Sequence, residues 1–372
     1  MRIAFVVPSL GMQEGQGRAN AELLRRVAAA GHRVDVFAGN APAGLGMLDG
    51  VRVHRIPRLP AWQFANQLVS LGASGAMLGR ARYDVVHADA GTTLRRADVI
   101  MCHTISARWL DLPPQAWREP GARGRNEEIA TRFKARLEIR QARAARAVIA
   151  NSEATARDLA ARGVDAARIT VVRFGVDSER FRPPSQAERT AARAALALSQ
   201  QEFVVALVGP HGPRKGLPLA LEALAAAPPG ERLVVAGDLR GGRWTALARE
   251  RRLPVVMPGK IEDVRAAYWA ADLLIAPSRY DAFGMAVLEA MACGLPVVVA
   301  AAAGASEIVG NAGVVLGEHS VDALRRAIDE IRLDPAAAYA MGRRAREIAI
   351  GMNWDTAGAT LLDVYALLGS RP

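Results

Sequence analysis

The sequence predicts an α/β protein built on two parallel sheets, each covered by helices on both faces. Three observations carry that prediction. Short apolar runs such as 2–7 and 203–208 alternate with helical patterns along the whole chain, the arrangement that buries parallel strands under crossover helices. The 372 residues exceed the roughly 250–300 at which a single core stops growing, so two domains are expected. Between Phe174 and Gln201 the pattern loosens, with Pro183, Pro184 and Ser185 together, which places a junction there.

The elements follow in order. Arg2 to Val7 reads as a first strand, Arg18 to Ala30 as a helix stopped by Gly31, and Arg33 to Ala38 as the next strand. Strands are expected at Val51 to Ile56, Asp84 to His87 and Asp98 to Cys102, then a long basic helix near Asn126 to Ala145. Ala147 to Ala150, a helix opened by Ser152, and Ile169 to Arg173 complete the first series. The second series is Phe203 to Val208, Arg232 to Ala236, Val255 to Met257, Leu273 to Ala276 and Pro296 to Ala300. No internal repeat of 20–50 residues is visible.

Composition narrows the class. With 51% hydrophobic and 23% charged residues, the chain is neither disordered nor fibrous. No charge-free stretch of about 18 apolar residues exists to span a bilayer, and the amino terminus lacks a small-residue cleavage site; a cytoplasmic protein is expected. Cys102 and Cys293 are the only cysteines, too few for a disulfide framework or a cysteine-based metal site.

The charge is lopsided. Residues 1–185 carry 28 Lys or Arg against 17 Asp or Glu, whereas residues 186–372 carry 20 of each. Much of the excess falls between Arg118 and Arg146, including Arg123, Arg125, Arg132, Lys134, Arg136, Arg140 and Arg143. Such a block fits a solvated helix face or a surface for anionic lipid. Nucleic acid is not expected as a partner, because only Phe133 interleaves with the arginines.

The most specific segment is Ser278 to Gly294, which runs from a buried strand through a loop into a helix. It places Asp281 and Glu289 with seven residues between them. The amides of Phe283, Gly284 and Met285 fall at the helix start, where unpaired N–H groups and the helix dipole favour an anion. A diphosphate there would leave the two carboxylates to accept hydrogen bonds from neutral hydroxyls. Taken as a bare pair, they read equally as a solvated loop Asp and a helix-face Glu. Gly209, Pro210, His211, Gly212, Pro213, Arg214, Lys215, Gly216 follows a strand and opens a helix; two adjacent cations at such a turn suit two phosphates.

The Ser278 to Gly294 string resembles the acidic, seven residues, acidic motif of glycosyltransferase family 4, retaining nucleotide-sugar enzymes of GT-B fold. The resemblance implies two Rossmann-like domains facing a central cleft. Residues 1–177 would bind the acceptor, completed by a carboxyl-terminal helix in 353–372, and residues 178–352 would bind the donor. It implies that Asp281 holds hydroxyls of the donor sugar, Glu289 holds the ribose, and Lys215, with Arg214, binds the donor diphosphate. Gly15, in the turn Glu14 to Arg18, would face the same phosphates, and His103 would stand close to the sugar, with His87 a second candidate. Two departures stand out. The family usually has Glu where Asp281 stands, and many members have Arg where Pro210 stands. The second departure, with the short link from His87 to Asp98, looks closest to the lipopolysaccharide core glucosyltransferase branch.

The expected activity is therefore transfer of a hexose, with retained configuration, from a nucleoside diphosphate sugar, UDP-sugar first, to a hydroxyl of a cell-envelope glycan or glycolipid such as lipopolysaccharide core. In the family the departing phosphate is held to take the acceptor's proton. With no Asp-x-Asp cluster, neither metal nor other cofactor is expected, and the basic first half could rest on an anionic membrane surface. The alternatives are a GT-B nucleotide-sugar epimerase or hydrolase, or a degenerate sugar-nucleotide binding protein. A dehydrogenase is disfavoured because the first strand leads into Ser9, Leu10, Gly11 rather than a G-x-G-x-x-G turn.

Overall fold

Among the described residues thirteen short strands form two separate all-parallel sheets. A computed structural model describes residues 1–12, 14–57, 63–79, 81–118, 121–209, 212–239 and 242–369. The chain divides into two units, Met1–Gly175 with Trp354–Pro372, and Val176–Asn353. The expected boundary after Asp177 moves two residues earlier, because the Val176 amide donates to the Met352 carbonyl at 2.9 Å and so joins the second unit.

In the first unit the strands are β1 (Arg2–Val7), β2 (Arg33–Ala38), β3 (Val51–Arg55), β4 (Val85–Asp89), β5 (Val99–Cys102), β6 (Ala147–Ala150) and β7 (Ile169–Val171). They lie in the order β3-β2-β1-β4-β5-β6-β7. Ile3 to Val7, Val148, Ile149 and Ala150 are fully buried, as strands covered on both faces must be. The helix Gly15–Ala29 follows β1 and ends at Gly31, whose φ of 80° suits only glycine without strain. The last helix, Trp354–Gly369, returns to this unit. Arg26 bonds Asp355 at 3.0 Å, and Tyr365, wholly buried, meets His87 Nδ1 at 2.5 Å.

The second unit holds β8 (Phe203–Val208), β9 (Glu231–Ala236), β10 (Val255–Gly259), β11 (Leu273–Ala276), β12 (Val297–Ala300) and β13 (Gly313–Leu316), ordered β10-β9-β8-β11-β12-β13. β13 and several helices, among them Gln63–Leu78, Gln186–Ala195, Val321–Leu333 and Pro335–Gly351, lie outside the sequence reading. β4 starts one residue later and ends two residues later than expected, which brings Asp89 into the strand. Among the described residues no helix is long and apolar enough to cross a membrane.

In both sheets the chain order reverses at one place, between β1 and β4 and between β8 and β11. Crossovers there leave the two strands on opposite sides, opening a crevice at their carboxyl ends where parallel-sheet proteins bind ligands. A single buried side chain braces the second unit's sheet from below. Arg193, 1% exposed, donates to the carbonyls of Ala270, Ser199, Gln200 and Glu202 and to Asp272 at 2.8–3.0 Å. Arg193→Met keeps the volume and takes this donor from the four carbonyls, while Asp272 retains Arg189 and the Val204 amide. It should lower stability by at least about 3 kcal/mol in urea unfolding followed by far-UV circular dichroism.

Candidate active site

The second unit's crevice gathers most of the residues singled out in the sequence. β8 delivers Gly209, and the turn that follows ends at Gly216, which caps the helix Leu217–Ala225 with φ 82°. A Cβ on Gly216 would lie 2.0 Å from the Pro277 carbonyl oxygen. Glycine is required there, and its close approach presses the Lys215 turn onto the loop leaving β11. Lys215 Nζ pairs with Asp281 Oδ2, and the two side chains are only 15% and 17% exposed. With Ser278, Gly284 and Ala286 they line one small pocket.

Asp281 is held as an anion. Burial works to raise its carboxyl pKa, yet the positive charges of Lys215 and Arg214, with hydrogen bonds from Lys215 and the Phe283 amide, bring it below the ordinary carboxylate value. Gly284, φ 101°, caps the eight-residue helix Met285–Ala292. A Cβ there would meet Ala305 Cβ at 3.0 Å and Asp281 Oδ2 at 3.7 Å. Glu289, in the second turn, is 3% exposed and accepts a hydrogen bond from the Tyr268 hydroxyl at 2.7 Å.

Arg214 occupies a different position from the open fork that its sequence suggests. It is buried, and its Nη1 donates to the Tyr280 carbonyl at 2.8 Å while its own carbonyl accepts from the Arg279 amide at 2.9 Å. Its guanidinium therefore braces the loop that carries Asp281 and lends that carboxylate charge. The Phe283 amide is likewise engaged by Asp281. Pro210 and His211 lie outside the described residues.

The remaining candidates belong to the first unit. Gly15 opens the helix Gly15–Ala29. His103 follows β5 and is buried, its Nε2 lying 2.8 Å from Asn20 Oδ1 and 3.2 Å from Asp89 Oδ1. His87 lies within β4, its ring tilted against Phe5 with centroids 4.6 Å apart, and burial pushes its pKa down to about 4. It is neutral at physiological pH and packs as part of the core. Asn20, Asp89, Tyr268 and Tyr280 were not anticipated. The signal for Asp89 was a charged residue closing an apolar strand, Val85, Val86, His87, Ala88, Asp89. Among the described residues no three His, Cys, Asp or Glu side chains converge as metal ligands.

The Lys215–Asp281 pair links stability to pH. Because Asp281 is depressed in the folded state, its contribution is complete above the unfolded value near 3.8 and is lost as pH falls through the folded value. Lys215→Met should destabilise by about 2 kcal/mol at pH 7. That gap should close in acid, below the ordinary carboxylate range, as Asp281 takes up a proton, measured by urea titrations across the range; a gap that persists unchanged in acid would contradict the pairing.

Comparison with known proteins places this geometry in a lineage. Residues 14–180 match the model described as Glycosyltransferase Family 4, and residues 188–348 match Glycosyl transferases group 1. The D-inositol 3-phosphate glycosyltransferase of Mycobacterium marinum is 36% identical over 233 residues, 59% of this chain and 49% of that protein. The chain thus spans about half the length of the curated relatives it matches. WaaG, a glycosyltransferase involved in lipopolysaccharide biosynthesis, superposes with a TM-score of 0.80 at 20% identity, covering 98% of this chain and 99% of its own. HepE of Anabaena, solved with UDP-glucose, gives 0.74 at 23% identity, covering 99% and 100%. These likenesses establish a fold common to GT-B proteins. With both family models matched in sequence, one on each unit, the chain belongs to the glycosyltransferases of family 4 and group 1.

Proposed function

We propose that the protein is a retaining glycosyltransferase that moves a hexose from a nucleoside diphosphate sugar to an acceptor hydroxyl. The observation that carries this reading is the meeting of Lys215, Asp281 and the Gly284 helix start at the reversal point of the second sheet, with Glu289 in the next turn. An ammonium already beside a carboxylate can exchange that partner for a diphosphate. The released Asp281 then accepts hydrogen bonds from sugar hydroxyls. As the bond to phosphate breaks, Lys215 and the helix amides stabilise the growing negative charge, placed before the reaction starts. Arg214 acts through the loop it braces. These groups supply the charge stabilisation, and the reaction is proposed to need no divalent cation.

UDP-sugar is the proposed donor, supported by the name of the HepE complex. An envelope glycan or glycolipid, such as lipopolysaccharide core, is the proposed acceptor, supported by the description of WaaG. Thermal-shift screening of nucleotide sugars identifies the donor, since a ligand at a hundred times its Kd adds about 2.7 kcal/mol. Lys215→Ala should cut turnover at least about a hundredfold with the fold intact, and EDTA should leave the wild type unchanged. Free sugar or an epimer formed from donor alone would point instead to a hydrolase or epimerase.

The first unit is proposed to rest on an anionic bilayer, at its inner face. A groove of about 670 Å³ has an apolar floor including Ala107, Leu110 and Ile139, with a rim of arginines. Arg132 pairs with Glu128, and Arg143 is bound to the Arg162 carbonyl. Arg136 and Arg140, one helical turn apart and exposed, have no ion-pair partner among the described residues. Repulsion at that spacing is unfavourable, and lipid phosphates relieve it. Vesicles rich in phosphatidylglycerol should pellet the protein at low salt, and neutral vesicles should not. Arg136→Glu with Arg140→Glu should abolish the difference.

A further inference from the structure

Asp89 ends β4 with 1% of its surface exposed, a charge taken out of water that must be repaid by donors. It has three. Gln16 Nε2 and Asn20 Nδ2 donate to Oδ2 at 2.9 and 2.8 Å, and His103 Nε2 lies 3.2 Å from Oδ1. Burial alone would raise its pKa; the His103 ring and these hydrogen bonds hold it below the ordinary value, so it stays ionised.

The network also assigns a proton. Asn20 Nδ2 faces two acceptors, Asp89 Oδ2 and, at 3.3 Å, the Ser9 carbonyl oxygen, which settles the orientation of the amide. Its oxygen is therefore the atom 2.8 Å from His103 Nε2. Facing Asn20 Oδ1 and Asp89 Oδ1, both acceptors, Nε2 must carry hydrogen. Asn151 holds the backbone there, donating to the His103 carbonyl at 3.0 Å, and the ring packs on Phe174, whose ring centre lies 5.4 Å away. His103 Nδ1 is buried and has no hydrogen-bond partner among the described residues.

We propose that Asp89 is a positioning residue that locks His103 in the Nε2–H tautomer and so reserves Nδ1 as an acceptor for a substrate hydroxyl. The inference rests on the transferase reading above, because it is a sugar hydroxyl that would donate to Nδ1. The same carboxylate holds Gln16 beside Gly15, so one buried charge sets both the imidazole and the first turn of the Gly15–Ala29 helix. A group acting through a histidine's other nitrogen typically works by fixing tautomer and orientation.

Imidazole nitrogen NMR on the full-length, 15N-histidine-labelled protein tests this without substrate, His103→Gln identifying the signal. The expected spectrum at neutral pH shows protonated Nε2 and unprotonated Nδ1 for His103; a proton on Nδ1 overturns the proposal whatever any variant does. Asp89→Asn replaces one acceptor oxygen with an amide donor, and should mix or reverse the tautomer and lower kcat about tenfold or more with KM for the nucleotide sugar little changed. A folded Asp89→Asn protein with the wild-type tautomer and full turnover overturns it too. Wild-type protein that turns over no nucleotide sugar would remove the functional reading, while the spectrum still decides what Asp89 does to His103.

Discussion

A parallel sheet covered on both faces leaves its polar chemistry one outlet, the ends of its strands. In this protein that constraint decides where function can sit. The interiors of β1, β6, β8 and β12 are apolar and buried, so the charged groups of the two crevices sit where strands stop and loops begin. In each unit the chain reverses order once, and there the departing crossovers leave a gap. Asp89 and Asn20 fill one such place, Lys215 and Asp281 the other. Each buried carboxylate is matched by donors, since an unmatched one would cost several kcal/mol.

The two gaps are built differently. In the second unit a close backbone approach, Gly216 on Pro277, brings a cation from one loop to an anion on another, and both ends retain some contact with solvent. In the first unit, amides and an imidazole enclose Asp89 completely. One arrangement suits a charge that must change partners, the other a charge that must never move.

Much of the fold was legible because apolar runs bounded by Gly or polar residues admit few alternatives. β1, β2, β6, β8 and β11 have the bounds read from the sequence. The four-residue β13 and the helix Gln63–Leu78 were missed: the first is short and opens on a glycine, and the second is interrupted by Ser70, Gly72, Ser74 and Gly75, which weaken a helical pattern. Of the site, charge was readable and burial was not. Nothing in Arg214 and Lys215 as neighbours says that one guanidinium turns inward to a carbonyl while the next ammonium meets a carboxylate. Asp89 and Asn20, 69 positions apart, become partners only once β1 and β4 lie side by side.

The carboxyl-terminal helix has a consequence for biosynthesis. Trp354, Leu361 and Tyr365 are buried in the first unit, with the Tyr365 hydroxyl on His87 in the middle of that sheet. The first unit therefore has an open seam while the second is being synthesised, and its core closes only after residues 354–369 have left the ribosome. The unit translated first is the last to finish folding.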